Sequence, residues 1–262
     1  MGFYDLDKQD RVALIGQISS NIAADLHSGK DRMLRQYFAD DDTYIRKSAY
    51  LAIGKLYSAH GLPRTSIISA LNALLSADDP KIRQTAVNAA GEIGKTDFNA
   101  VQSFFDTGLF DAHHSVRNAV IGSMKKMGEK NPVPVLEWSR KFLHHPDKEI
   151  RREICHGIEL RGRTHPEDIL PLLEELQHDT TKRVRWTLVH VIGQISYKKG
   201  CLEKVVPAIR HWENKQLVAD ALDEIIDVHH RYRNFSFYTQ EEAINYISRK
   251  KEAEKNTEHE AK

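Results

Sequence analysis

The sequence has little of what secreted or membrane-embedded proteins depend on. Its two cysteines, Cys155 and Cys201, cannot build a disulfide framework, and we expect both to be ordinary small residues in a reducing compartment. No apolar run reaches the length needed to span a bilayer, and the first residues lack the basic and then apolar pattern of a secretory signal. A cytoplasmic protein that does not act in a membrane is therefore expected.

The sequence also lacks a strong excess of either charge. The net charge is +1, but residues 138–215 carry 15 basic against 11 acidic side chains and seven histidines, while residues 216–262 carry 7 basic against 10 acidic ones. This bias is weaker than that of a dedicated nucleic-acid-binding domain. It permits an anionic partner without requiring one.

Standard catalytic motifs are missing as well. The sequence has no glycine-rich phosphate loop, no nucleophile elbow and no HExxH motif. Fourteen histidines are present, but several are adjacent pairs, which cannot easily ligate one metal from a helix. We therefore predict no catalytic residue, no metal site and no cofactor.

What the sequence does contain is a doublet of Ile or Val followed by Arg, repeated at nearly constant spacing. The doublets stand at Ile45-Arg46, Ile82-Arg83, Val116-Arg117, Ile150-Arg151 and Val184-Arg185, so that successive arginines are 37, 34, 34 and 34 residues apart. A fixed period in the thirties indicates a stack of similar supersecondary units. Each unit is predicted to contain two helices, with the doublet near the start of the second.

Apolar and small residues after each doublet give the second helix one apolar face. Counted from the Ile or Val, they recur at i+4 and i+8, as in Val184, Leu188 and Ile192. Glycines eight residues after the arginine suit close helix approach, and those eleven after it suit a helix end. The first group is Gly54, Gly91 and Gly193, and the second is Gly94, Gly128 and Gly162.

An aspartate precedes each arginine by four to six residues. It can cap the second helix, and the arginine can bridge to the aspartate of its own or the next repeat. The alternative is that the row of arginines projects outward and binds anions. The aspartates are Asp41, Asp79, Asp111, Asp147 and Asp179.

This pattern of Asp, Val/Ile-Arg, small residues and Gly resembles the HEAT-repeat family (ARM-type fold) over about residues 30–200. The resemblance implies an all-α, right-handed α-solenoid of five to six helix pairs, with residues 5–28 as an N-terminal capping helix. A single stack is expected over 1–249. Its last helix is predicted to start at Thr239, which forms a capping box with Glu242. The expected repeats are 30–60, 66–97, 100–130, 133–163, 166–198 and a degenerate 202–230, followed by a C-terminal cap at 231–249 and a charged, fraying tail at 250–262.

The fold that the resemblance implies favours a non-enzymatic scaffold. A curved stack presents its second helices as a long inner wall that binds a macromolecule, most simply a protein. We predict that the contact residues on this mildly basic wall are Arg151, Arg152, Arg161, Arg163, Arg183, Arg185, Trp138 and Trp212.

The alternative partner is a nucleic acid. The segments IRREICHGIELRGR at 150–163 and LLEELQHDTTKRVRW at 172–186 resemble the repeats of bacterial alkylpurine DNA glycosylases, which act in DNA alkylation repair. In that family a concave basic surface grips DNA, and aromatic and acidic residues flank the lesion. The resemblance implies Glu153, Asp179 and Trp186 as the catalytic candidates. The Trp-Asp-x-x-Asp pattern of one glycosylase branch is absent, because Ser139 and Arg140 follow Trp138.

Overall fold

A computed structural model describes residues 2–59 and 61–249, and over these ranges it consists of helices joined by turns. The predicted tail at 250–262 lies outside the described residues. Among the residues described, no helix combines the length and apolarity that crossing a bilayer requires.

Six helix pairs follow one another in the part of the chain that the structure describes, and the all-α fold class is confirmed. A short 3-10 helix and a longer helix, α1, precede them, as expected for an N-terminal cap. The elements are a 3-10 turn at Phe3–Asp5, α1 at Lys8–Ser28, and then the pairs α2 Arg32–Ala39 with α3 Thr43–Ser58, α4 Arg64–Leu75 with α5 Pro80–Gly94, α6 Gln102–Gly108 with α7 His114–Lys130, α8 Pro132–Arg140 with α9 Lys148–Gly157 and α10 Glu159–Gly162, α11 Pro166–Glu174 with α12 Lys182–Gln194, and α13 Leu202–Arg210 with α14 Lys215–Arg231.

The repeated aspartates start the second helices in two different ways. Asp79 and Asp147 are caps, each accepting a hydrogen bond from the backbone amide two residues later. Asp111 and Asp179 lie two residues before the capping position, where each accepts a bond from the backbone amide two residues on. The expectation of one aspartate cap per repeat is therefore wrong for this second pair. It is also wrong for Asp41, because its neighbour Asp42 caps α3.

The chain divides into two compact units, Met1–Val135 and Leu136–Lys262. In the first unit the second helices α3, α5 and α7 contact one another in chain order. In the second unit α9, α12 and α14 do the same. Each unit is thus built from neighbouring helix pairs, while a single stack over 1–249 stays a prediction.

The predicted apolar face of each second helix forms the core. Val184, Leu188 and Ile192 are fully buried, and the corresponding residues of the other repeats are buried apart from Ile45. Burying one such side chain contributes roughly 1.5–3 kcal/mol, so the stripe holds successive second helices together.

Glycines eight residues after the arginine lie where second helices approach closely, as predicted. A methyl group on Gly54 would lie 2.8 Å from Cβ of Glu92 on α5, and one on Gly193 would lie 2.6 Å from Cγ of Glu224 on α14. Of the second group of glycines, Gly94 and Gly162 end their helices, but Gly128 lies inside α7.

Residues 231–249 contain one more helix and two exposed aromatic side chains. Thr239 and Glu242 form the predicted capping box, and residues 240–249 are helical. Phe235 and Phe237 are exposed, whereas Ala243 is fully buried. Nη2 of Arg210 donates a hydrogen bond to the carbonyl of Ile247, so this helix contacts the end of α13.

Candidate functional site

The repeat arginines are largely structural. Nη1 of Arg83 and Nη1 of Arg151 each donate to two backbone carbonyls in the turn just before their own helix. Their remaining nitrogens reach the aspartate of the next repeat, at 2.8 Å from Arg83 to Asp111 and 2.5 Å from Arg151 to Asp179. The arginine therefore joins one turn to the next, and in these two repeats it bridges to the aspartate of the next repeat. We call this row of bridges the ladder.

The pKa values of Asp111 and Asp179 are both lowered, which agrees with these bonds. The hydrogen bond from Arg83 lowers the pKa of Asp111, against the opposing effect of burial. Burial acts to raise the pKa of Asp179, but the bonds from Arg151 and the Thr181 amide outweigh it, and the pKa lies below its usual range. Asp179 and Arg151 are thus engaged with each other rather than available to a substrate or partner.

Two further predicted contact residues are held inside the second unit. Arg161 forms an ion pair with Asp168 at 2.6 Å, close to the start of α11. Arg163 forms an ion pair with the buried Glu159 and donates to Oε1 of Gln194 at 3.0 Å. Both guanidinium groups are mostly buried and bind residues of the neighbouring helices, which corrects their assignment to the partner-binding wall.

The assignment of two tryptophans to the binding surface is also wrong. Trp138, on α8, is 1% exposed, and Trp212, in the turn after α13, is 2% exposed. The ring of Trp138 packs against Phe142, with centroids 4.9 Å apart. Neither side chain can reach a macromolecule in solution.

Trp186 behaves in the opposite way, since it is 73% exposed. It lies on α12 opposite the buried stripe of Val184 and Leu188, and a depression lies on each side of it. One depression has a volume of about 540 Å³ and the other about 430 Å³. We call these two depressions the Trp186 surface; the first is lined by Thr180, Lys182, Arg185, Trp186, Val189 and Asp220, and the second by Arg152, His156, Arg183, Trp186, Thr187 and His190.

The Trp186 surface contains the other three predicted arginines. Arg183 is two-thirds exposed and contacts Glu149 at 3.0 Å. Arg152 shares that glutamate at 2.9 Å, and Arg185 lies 3.9 Å from Asp220. The ammonium of Lys182 lies 5.9 Å from the centre of the Trp186 ring. Lys182 was not among the predicted contact residues. The surface therefore has four cationic side chains around one exposed indole.

The acids chosen for the glycosylase alternative do not lie on this surface. Glu153 is buried and Asp179 is bound to Arg151, and neither is among the residues that line the two depressions. Asp220 does line one of them. It stands 34 residues after Trp186, the repeat period itself, so the period could have identified it from the sequence.

The same register brings two histidines together. His156 and His190 are 34 residues apart, and both line the smaller depression. Nε2 of His156 lies 3.1 Å from Oε2 of Glu159, and Nδ1 of His190 lies 3.6 Å from Oε1 of Glu224. This group was not predicted from the sequence, where the two histidines are related only by the repeat period.

A family model and several solved structures match the chain. The model of the non-SMC mitotic condensation complex subunit 1 (Cnd1) matches residues 31–137. No curated protein matches the sequence. Among solved structures, AlkD2 from Streptococcus mutans is 16% identical with a TM-score of 0.54, and the match covers 75% of this chain and 97% of that one.

Two further structures give similar values. The MAST/Orbit N-terminal domain is 15% identical with a TM-score of 0.52, covering 74% of this chain and 95% of that one. A TOG domain of crescerin, which uses a TOG domain array to regulate microtubules in the primary cilium, is 16% identical with a TM-score of 0.50, covering 74% and 88%. At these identities the likeness concerns the fold. The chain has the HEAT-like helical-repeat fold that these structures share.

Proposed function

We propose that the chain is a non-enzymatic binding scaffold that holds an acidic protein segment on the Trp186 surface. The observation that carries this proposal is the exposure of Trp186 among Lys182, Arg183 and Arg185. Tryptophan and arginine dominate the energetics of protein interfaces, because one large rigid side chain fills a pocket while the other pairs with carboxylates. A depression on each side of the indole gives a partner's side chains a place to insert.

Charge favours an acidic occupant. Arg152 and Arg183 share the carboxylate of Glu149, and Lys182 faces the indole. Arg152 also contacts the buried carboxylate of Glu153 at 3.4 Å. Asp220 and Glu149 offset part of this positive charge, so the surface is moderately basic. A short acidic segment with an aromatic or aliphatic anchor matches both the cations and the indole. Long-range attraction to it should weaken as salt is added.

The test measures binding of a fluorescent glutamate-rich peptide that carries one leucine anchor. We expect the double variant Trp186→Ala with Arg183→Glu to lose at least about tenfold in affinity, because hot-spot residues contribute 2 kcal/mol or more each. The matched control is Phe235→Ala with Arg233→Glu, which removes an exposed aromatic and reverses one charge elsewhere in the second unit. Equal losses in the two variants would reject the proposal.

Nucleic acid is the second candidate, favoured by the same exposed indole within a basic surface, since bases stack on tryptophan. The discriminating measurement is binding of duplex DNA at two salt concentrations. Phosphate-driven binding falls steeply as salt rises. If DNA binds, release of a methylated purine from alkylated DNA, compared between wild type and Asp220→Asn, tests for glycosylase activity. Release that the variant abolishes would replace the scaffold proposal.

A further inference from the structure

Three side chains of the second unit converge in a way that the proposed function does not use. One ligand atom each from His156, Glu159 and His190 lies within 4.8 Å of the other two. Nε2 of His156 and Oε2 of Glu159 are 3.1 Å apart. Atoms this close to one another can face a common point about 2 Å from each, as metal ligands do.

The repeat architecture explains the convergence. α9 and α12 are neighbouring second helices, and His156 and His190 occupy the same register on them. Glu159 follows His156 by three residues, at the first position of α10. Residues three apart on a helical path share one face. Packing the two repeats against each other therefore brings both imidazoles to one carboxylate.

The carboxylate is held in place from behind. Glu159 is 1% exposed, and its Oε1 accepts a hydrogen bond from Nη2 of Arg163. Arg163 is itself positioned by Gln194, whose Oε1 lies 3.0 Å away. With Oε1 engaged by the guanidinium, Oε2 is the oxygen directed at His156. A buried carboxylate fixed in this way is already ordered, so it loses little conformational freedom when it binds a ligand.

His190 has a supporting acid of its own. Glu224 stands one period further on, and its Oε1 lies 3.6 Å from Nδ1 of His190. Metal-bound histidines commonly have a carboxylate beside the nitrogen that does not bind the metal, which orients the ring and raises its basicity. Glu224 on α14 is thus placed to orient the His190 ring, while His156 and Glu159 come from the repeat before His190.

Access to solvent is retained on one side. His156 and His190 are about two-fifths exposed and line the smaller depression beside Trp186, together with Thr187. Arg152 and Arg183 line the same depression, and their positive charge opposes a bare cation. The same charge favours an anion or hydroxide as an additional ligand on the open side.

We propose that His156, Glu159 and His190 bind one divalent first-row transition metal ion, with Zn²⁺ as the ion to test. Two imidazoles and one carboxylate are a ligand set that Zn²⁺ accepts, and three protein ligands leave a fourth position toward the depression. A site of this openness is of the reactive kind rather than the closed structural kind. The proposal does not depend on the acidic-partner function.

The test is calorimetric titration of the full-length, tag-free chain with zinc chloride. We expect one site per chain that His190→Ala weakens by more than about 100-fold, since even supporting groups cost roughly 10- to 100-fold. Glu224→Gln should weaken it by about tenfold for that reason. The matched control is His178→Ala, which removes an exposed histidine lying 3.2 Å from Glu213 outside the cluster.

A structural measurement accompanies each variant. Glu159→Gln disturbs a buried ion pair and is at risk of not folding, so the exposed histidines carry the decision, with circular dichroism as the folding check. Co²⁺ in place of Zn²⁺ should give the visible absorption of a low-coordinate site, and His156→Ala should abolish it. Absence of a stoichiometric site, or equal weakening by His178→Ala and His190→Ala, would overturn the proposal.

Discussion

Arg151 and Arg152 are neighbours in the chain, yet their guanidinium groups lie in different surroundings. Arg151 is 15% exposed and pairs with Asp179, which is 6% exposed, whereas Arg152 lines a depression. A helix turns by about 100° per residue, so adjacent side chains face different directions. Of these two adjacent arginines, Arg151 therefore joins two repeats, whereas Arg152 can contact a partner.

Arg151→Ala should destabilise the protein by about 2 kcal/mol. The change removes the arginine donor from two turn carbonyls and from a mostly buried carboxylate, which keeps the bond from the Thr181 amide. A hydrogen bond to a charged group contributes roughly 1.5–3 kcal/mol. The measurement is urea unfolding followed by circular dichroism. The control Arg183→Ala alters a two-thirds exposed side chain and should change stability by less than about 0.5 kcal/mol. Similar losses in both variants would show that the ladder does not stabilise the fold.

His229 introduces a dependence on pH. It is fully buried on α14, its Nδ1 lies 2.8 Å from the carbonyl of Ile225, and burial lowers its pKa from the ordinary 6.5. The unfolded chain therefore takes up a proton at a higher pH than the folded chain. The stability that this residue contributes is fully present above about pH 6.5, and it is lost as the pH falls through the lowered folded-state pKa.

Replacing that residue should flatten the dependence. Urea unfolding at about pH 7.5 and about pH 5.5 is expected to show a smaller loss of stability for His229→Gln than for wild type, because glutamine takes up no proton. All other residues are the same in both proteins, so their contributions cancel in the comparison. An unchanged difference between the two pH values would mean that His229 is protonated in the folded state.

At the scale of the helix, spacing alone predicted most of the structure. The doublets, the apolar stripe and the close-approach glycines led to the right helix pairs, since each depends only on which residues share a helical face. The aspartates were harder. Asp79 and Asp111 have the same residue type in equivalent segments, but one caps a helix and the other receives Arg83. A shift of two residues in the turn decides between these two arrangements. The sequence contains it as a spacing of four residues from Asp79 to its arginine against six from Asp111, but the general repeat pattern treats both spacings alike.

The spacing between second helices is set by glycines, and this can be tested with a pair of variants. A methyl group on Gly91 of α5 would lie 2.6 Å from Cβ of Ser123 on α7, and the backbone of Ser123 is close behind. Gly91→Ala should therefore separate the two helices and cost about 2 kcal/mol. Gly122 is also inside α7 but has no atom within 4 Å of the added methyl group.

Gly122→Ala is accordingly the control and should raise stability by up to about 1 kcal/mol, because alanine favours a helix over glycine. Thermal unfolding of the two variants gives changes of opposite sign if the approach of α5 to α7 matters. Stabilisation by both would mean that the helices have room to separate at no cost.

At the scale of the whole chain, the repeat period determined how far the candidate site could be predicted. Arg152, Arg183, Arg185 and Trp186 were selected from the sequence, and the structure places all four on one surface. Trp138 and Trp212 were selected with them because tryptophan on a basic stretch looks the same whether it faces the core or solvent. Lys182 was missed although Trp186 lies four residues further along the same helix. The other missed residues depend on neighbours on adjacent helices; they are Asp220, His156 and His190.

Contacts limited to neighbouring repeats have a consequence for stability in the second unit. α12 lies between α9 and α14, and the last helix pair supplies one whole side of its packing. In such a stack the stability of a helix depends mainly on its immediate neighbours. A chain ending at residue 198 should therefore lose protection in α12 first, with amide exchange there faster by at least about tenfold.

α9 packs against α12, which the shortened chain retains, so α9 should be affected less than α12. Hydrogen exchange with mass spectrometry compares the two helices in the shortened and the full chain. If the shortened chain aggregates, Gly193→Val in the full chain replaces it, because the added atoms meet Glu224 and Val228 and push α14 away from α12. A gradient from α12 to α9 follows from nearest-neighbour packing. Equal acceleration in both helices would instead require the second unit to unfold as one cooperative body, and the repeat would then describe its sequence but not its energetics.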